Sequence, residues 1–294
     1  MRYGRKGKTL VNHLVFVGPA FIFFALIVAI PFVMGMIYSF TSWNGVSGEV
    51  QWVGFENFKK IFTSDKQFFA SFWFTIRFTV AAVLLSNVIG FILALLLTGP
   101  IKTRNMLRTA FFLPNVIGGL ILGFVWQFIF VKGFPSIGEA TGIGFFKLPW
   151  LGDASTAFWG LVIVFVWQIG GYLMVIYVAA LQNIDDSLLE AARIDGANRM
   201  QILFRMILPL VVPAFTVCLF LTLSWAFKVF DLNLALTNGG PYGSTESVAI
   251  NIYQEAFQYN RYGLGTAKAF LFFLIIALVT TAQVYFTKKR EVEY

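Results

Sequence analysis

Side chains able to do chemistry are few in this chain, and their spacing excludes most reactions before any element is assigned. One cysteine, Cys218, permits no intramolecular disulfide, and one histidine, His13, leaves a Cys/His zinc or haem cluster without ligands. Gly7-Lys8-Thr9 has the ending of a phosphate-binding loop. The glycine that should stand five residues earlier is replaced by Arg2, and no strand leads into the segment, so a basic tail on a membrane surface accounts for it better. The carboxylates Asp185, Asp186, Glu190 and Asp195 fall in one stretch, where caps, a turn and a motif account for them without a catalytic cluster. What remains is a set of amides and aromatic rings in apolar surroundings: Asn87, Asn115, Trp126, Trp167, Gln168, Tyr172 and Trp225. Such groups replace the hydrogen bonds of water and offer flat apolar faces for a polar solute, although each alone also suits an interfacial belt or helix packing.

The elements that hold these residues must suit an apolar solvent. Hydrophobic residues make up 58% of the 294 and charged residues 12%, with 35 phenylalanines, against about 45–50% and about a quarter in soluble proteins. Mean hydropathy is +0.77. There are too few charges to solvate a globular surface of this size, so most of the chain faces a lipid bilayer.

A spanning helix needs about 20 largely apolar residues. Six windows qualify, at Leu14–Phe40, Phe72–Thr98, Ala110–Val131, Ala157–Leu181, Leu210–Val229 and Ala269–Thr287. The first follows Arg2, Arg5, Lys6 and Lys8, but it exceeds the h-region of a signal peptide and no small-x-small site follows, so it is expected to stay in the mature protein. The N-terminus, the second and fourth loops and the C-terminus hold thirteen Lys and Arg, the other side seven. That bias places both termini in the cytoplasm and explains a pI near 9.6 without nucleic acid. The expected organisation is a basic N-terminus over 1–13, a six-helix transmembrane domain over 14–287 with a cytoplasmic loop at about 182–209, and a C-terminal tail over 288–294.

Within the spans, Pro19, Pro31, Pro114, Pro209 and Pro213 each remove a backbone donor and impose kinks. Gly119-x-x-x-Gly123 and Gly170-Gly171 leave room for close helix approach. Arg77 is near enough to a span end to reach the interface. Lys228 and Asp231, three apart at the end of the fifth span, are expected to pair on one helix face. No Asp or Glu lies within the six windows.

The stretch from Gln182 to Pro209 carries the most information. Ser187 followed by Glu190 predicts a capping box, so a helix should start near Ser187 and end at Gly196 about two turns later. Leu188, Ala191, Ala192 and Asp195 then share one face, with alanines small enough to admit another surface. A second helix from about Asn198 leads to Leu208-Pro209.

This stretch resembles a known family. Glu190-Ala191-Ala192, three residues, Gly196, nine more, and the segment Met206-Ile207-Leu208-Pro209 are similar to the EAA motif of permease subunits in ATP-binding-cassette (ABC) importers. The pattern usually has Ile where Met206 stands. Leu107-Arg-Thr-Ala-Phe-Phe-Leu-Pro114, Leu236-Thr-Asn-Gly-Gly-Pro241 with Ser244-Thr-Glu246, and Gly54-Phe-Glu-Asn-Phe58 are similar to the MalF-like carbohydrate branch. The likeness is to compact permeases for oligosaccharides and glycerol phosphate, because the longest outer loop is only about 38 residues, Asp231 to Lys268, and the large insertion of MalF is absent.

The resemblance implies an all-α polytopic membrane protein of the type I ABC importer permease fold, in the cytoplasmic membrane of a bacterium or archaeon. It implies no catalysis and no cofactor in this chain, ATP and magnesium being used by a partner. The implied partners are a second, MalG-like permease, two ATPase subunits, an extracytoplasmic solute-binding protein, membrane lipid and a carbohydrate substrate. Glu190, Ala191, Ala192 and Gly196, with Leu208 and Pro209, take the ATPase-coupling role by motif position. No motif fixes the substrate path. Trp167, Gln168 and Tyr172, with Asn87 or Asn115 as a second wall, are the expected candidates. Two other readings compete: a secondary transporter, which would need carboxylates or broken half-helices in the membrane, and a membrane glycosyltransferase, which would need clustered carboxylates or histidines at one face.

Overall fold

The computed structural model describes residues 15–289. The basic segment 1–13, Leu14 and the tail residues 290–294 lie outside the described residues. In chain order the helices are α1 (Val15–Tyr38), α2 (Glu56–Ser64), α3 (Lys66–Thr98), α4 (Arg104–Val116), α5 (Gly119–Thr141), α6 (Ala154–Gln182), α7 (Asp186–Ile194), α8 (Arg199–Leu210), α9 (Val212–Phe227), α10 (Asp231–Leu236), α11 (Val248–Tyr253) and α12 (Tyr262–Lys288). The only strand-like pairing among the described residues is an isolated bridge between Thr41 and Trp52. By length and composition α1, α3, α5, α6 and α12 can each cross a membrane, and α8 with α9, bent by 66°, makes a sixth span.

Two expected spans are built differently from their apolar windows. The third breaks at Ile117, whose extended ψ of 126° ends α4 three residues after Pro114, and the crossing helix is α5, which runs on to Thr141. Ala110–Val116 therefore belongs to the helix before the span. In the fifth, Pro213 has no N–H to offer the carbonyl of Pro209, and the axis turns at Val211 between them. The second break follows from proline, and hydropathy averages across both.

The described chain divides into two compact units, residues 15–65 with 252–273, and 66–251 with 274–289. In the first, the Asn57 amide donates to the carbonyls of Ser39 (2.9 Å) and Thr41 (2.8 Å), fixing the exit from α1. Gly263 lies directly under the Thr41 carbonyl, where no Cβ fits. Lys268, counted above with an outer loop, is instead in the second turn of α12 and fully buried, 2.7 Å from Asp65 and 2.6 Å from Glu255. Glu255 also takes Arg261 at 3.2 Å.

The second unit holds the core. Because lipid tails are as apolar as leucine, helix association here depends on close packing and interhelical hydrogen bonds. Gly90 on α3 sits beneath Leu173 and the Gly170 carbonyl of α6, Gly171 of α6 lies against the Phe111 carbonyl of α4, and Gly119 and Gly123 of α5 admit Asp231, Leu232 and Ala235 of α10. The expected close approaches at 119, 123 and 171 thus occur, each with a named partner. Phe78 meets Phe165 edge to face at 5.4 Å across the same α3–α6 contact. Beyond α10 the Thr237–Ser247 segment is tied down by Glu246, a buried carboxylate that accepts from Gln67 (2.9 Å), Ser71 (2.8 Å) and Asn251 (2.7 Å).

Candidate functional site

The first candidate is α7 with the turn that follows it. Its cap is Asp185, not Ser187: the Asp185 carboxylate accepts the Ser187 N–H at 2.9 Å, which makes Ser187 the second helical residue and leaves Glu190 too far along to close a box. The bonds from Ser187 hold the Asp185 carboxyl below its usual pKa. At the other end Gly196 takes φ +81°, the Ala197 N–H reaches the Ala192 carbonyl (2.9 Å) and the Gly196 N–H reaches Arg193 (3.1 Å), the two bonds of a Schellman stop. A reciprocal capping box does exist, one helix later, where Asn198 and Gln201 cap α8.

No residue of α7 is buried. Glu190 and Ala191 are exposed and Ala192 is half-buried. Ile194 is 85% exposed and Met200 61%, on a short segment that the fold otherwise caps at both ends. Ile194 closes α7 and Met200 lies in the first turn of α8, so both apolar side chains stand clear of the packed core. Leu208 and Pro209 are half-buried where α8 bends by 66° into α9, one capped turn beyond α7.

The second candidate is a cavity of about 300 Å³ lined by Asn115, Gln168, Tyr172, Trp225, Lys228 and Asp231, with apolar groups between them. The Gln168 amide donates to the Ile117 carbonyl at 3.2 Å, a group left without a helical partner by the α4 break. Tyr172 and Trp225 meet edge to face at 5.3 Å. The expected Lys228–Asp231 ion pair is not among the ion pairs of the described residues. The helical spacing on which it depended is lost, because α9 ends at Phe227 and Phe230, at φ −129° and ψ −68°, separates it from α10. Both charged side chains are exposed and face the cavity.

Two residues of the expected set do not line this cavity. Trp167, next to Gln168, points to a different side of α6 and lines an apolar groove with Ile89, Phe111 and Trp159, its ring 5.5 Å from Trp126. Neighbours on a helix diverge by about 100°, so one of the pair had to leave the cavity. Asn87 is buried between three helices: its Oδ1 accepts from the Tyr177 hydroxyl (2.6 Å) and its amide donates to Val83 (2.8 Å) and Thr222 (3.0 Å). It braces α3, α6 and α9. Asn87→Ala should therefore cost about 1 kcal/mol of stability, read as a lower melting temperature of the purified assembly, with uptake per intact assembly unchanged. Of the expected path residues the fold brings together Gln168, Tyr172 and Asn115, with Trp225 from the wider set of amides and rings, and it adds Lys228 and Asp231.

Residues 86–292 match the family described as binding-protein-dependent transport system inner membrane component. A probable permease for starch degradation products, AmyD of Thermoanaerobacterium thermosulfurigenes, is 50% identical over 98% of this chain and 99% of its own. The multiple sugar-binding transport system permease MsmF of Streptococcus mutans is 35% identical over 89% and 90%. In fold, a chain of a bacterial ABC transporter that imports the acidic polysaccharide alginate superposes with a TM-score of 0.83 over 97% of this chain and 99% of that one, at 22% identity. The bent fifth span, the unburied helix between spans and the polar cavity are thus features of a multi-pass transport subunit, and this chain belongs to the family of inner-membrane components of binding-protein-dependent transport systems.

Proposed function

We propose that this permease conducts a carbohydrate, and that its α7 receives the motion of a cytoplasmic ATPase. The supporting observation is α7 itself: a helix capped at both ends, with no buried residue, whose exposed Glu190, Ala191 and Ile194 leave a surface for a partner. In this reading the working assembly has a second permease, two ATPase subunits that bind ATP and magnesium, and an extracytoplasmic solute-binding protein. Both termini and α7 face the cytoplasm, and the Thr237–Ser247 segment, one crossing further along, faces outside. Glu190, Ala191, Ala192 and Gly196 form the docking surface, and Leu208 and Pro209 pass its displacement to α9.

The substrate class is supported by relatives that serve starch degradation products and multiple sugars. The cavity chemistry agrees. Asn115 and Gln168 supply amides that replace water, and Tyr172 and Trp225 supply flat faces for sugar C–H groups. A secondary transporter is disfavoured because the docking helix would have no purpose.

Gln168→Ala tests the path, with radiolabelled maltotriose as the probe. Uptake should fall about tenfold while the assembly stays intact and ATP turnover persists. A loss of intact assembly instead would make Gln168 a packing residue serving Ile117, and unchanged uptake would remove it from the path.

A further inference from the structure

The cavity wall carries one cation and one anion that do not neutralise each other by contact. Lys228 caps α9 and Asp231 opens α10, and the turn at Phe230 holds them out of helical register. Among the described residues they are the only charged ones that line the cavity. Asp231 is also fixed in position, since α5 packs so closely beneath it that a Cβ on Gly119 would come within 3.1 Å of the Asp231 Cβ. Two ionised groups kept apart in a space of about 300 Å³ demand hydrogen bonds from whatever enters it.

We infer that Lys228 and Asp231 are specificity-determining residues that select an uncharged oligosaccharide over a solute bearing carboxylate or phosphate. This deepens the carbohydrate reading and rests on the cavity being the solute path. A carboxylate has only acceptors, and its two oxygens match a pair of adjacent hydroxyl donors, while an ammonium has only donors and matches hydroxyl and ring oxygens. A neutral sugar ring offers both kinds of partner within a few ångströms, so it satisfies the two groups at once. An anionic solute gains from Lys228 but must bring like charge up to Asp231 in the same small cavity. Among the described residues of this chain the wall offers no second cation to offset that repulsion. Gln168 and Asn115 can serve either solute, and so the discrimination falls to the charged pair.

The test uses the assembled transporter in lipid nanodiscs, with saturation-transfer NMR titrations of maltotriose as the neutral probe and trigalacturonate as the anionic probe of equal ring number. The intact protein should bind maltotriose more tightly than trigalacturonate. Asp231→Asn should weaken maltotriose about tenfold, the loss of a charge-assisted bond, and tighten trigalacturonate, so that the preference narrows or inverts. Lys228→Gln should weaken both, trigalacturonate more, widening the preference. The opposite movements separate charge selection from general damage, and Lys228→Gln carries the test alone if Asp231→Asn does not assemble. Equal binding of the two probes by the intact protein, a preference for trigalacturonate, or a ratio that neither substitution moves would overturn the proposal while leaving the path in place. Binding of neither probe would remove the path itself, and the proposal with it.

Discussion

Valine at position 196 should abolish uptake while the chain still inserts in the membrane. Gly196 holds φ +81°, a region that an L-residue enters at a cost of about 1–2 kcal/mol and a β-branched one hardly at all. Space is not the obstacle, because nothing lies within 4 Å of a Cβ built there. The cost is therefore a backbone cost, and the cheapest relief is to lose the two closing bonds, Ala197 to Ala192 and Gly196 to Arg193. The end of α7 would then be undefined and its angle to α8 free. A lever that can swivel transmits no displacement, so uptake and binding-protein-stimulated ATP turnover should both fall more than tenfold, a change of over about 1.4 kcal/mol in coupling. Gly196→Asn is the control, since asparagine tolerates the left-handed region, and it should keep most of the transport. Glu190→Lys, which reverses an exposed charge on the same helix without touching its caps, should uncouple in the same way. Uptake is measured in cells against the membrane level of the chain. Wild-type transport by Gly196→Val would sink the docking role of α7.

That prediction depends on a feature legible in the sequence. A glycine just after Asp195, two turns beyond a capping residue, has few other reasons to be there, and the structure gives it a positive φ. The start of the same helix was less legible. Asp185, Asp186 and Ser187 are all good caps, and only Ser187 has Glu190 at capping-box spacing, but the backbone leaves extended geometry at Asp185 instead. When several cap residues are consecutive, their types cannot decide which one precedes the first turn.

The spans show the same limit. Apolar runs locate a bilayer crossing, but Ala110–Val131 stays apolar through the α4–α5 break at Ile117, and nothing in hydropathy marks it. Pro114 and Gly118-Gly119 were the available signal. For the cavity, the side of α6 that carries Gln168 and Tyr172 could be read from their four-residue spacing. That Trp167 turns away follows from the same geometry. The break after Phe227 could not be read, because Lys228-Val229-Phe230 contains neither glycine nor proline, and with it the fate of the Lys228–Asp231 pair was hidden. Long-range partners were hidden too: Asn87 is joined to Tyr177 and Thr222, 90 and 135 residues away.

Lys268 is the residue whose position the sequence concealed most, and its replacement should have the largest effect on stability. Hydropathy counted it as the last residue of an outer loop, whereas it is fully buried in α12 between Asp65 and Glu255. An ammonium reaches such a place only because two carboxylates meet it at 2.7 and 2.6 Å. Lys268→Met keeps the length of the side chain and removes the cation. Two carboxylates then share a site from which water has been excluded, and breaking a buried pair in this way costs about 3–5 kcal/mol. Arg261 offers little relief, since it reaches Glu255 alone and is 58% exposed, where solvent screens it. The expected result is a chain that accumulates poorly and melts well below the wild type in detergent. The further change of Asp65 to Asn and Glu255 to Gln in the same chain should recover most of the loss, because a neutral, well-filled site avoids the desolvation that the charged one must overcome. A purely steric role for Lys268 predicts the reverse: Lys268→Met would be nearly silent, and neutralising the carboxylates as well would only add damage.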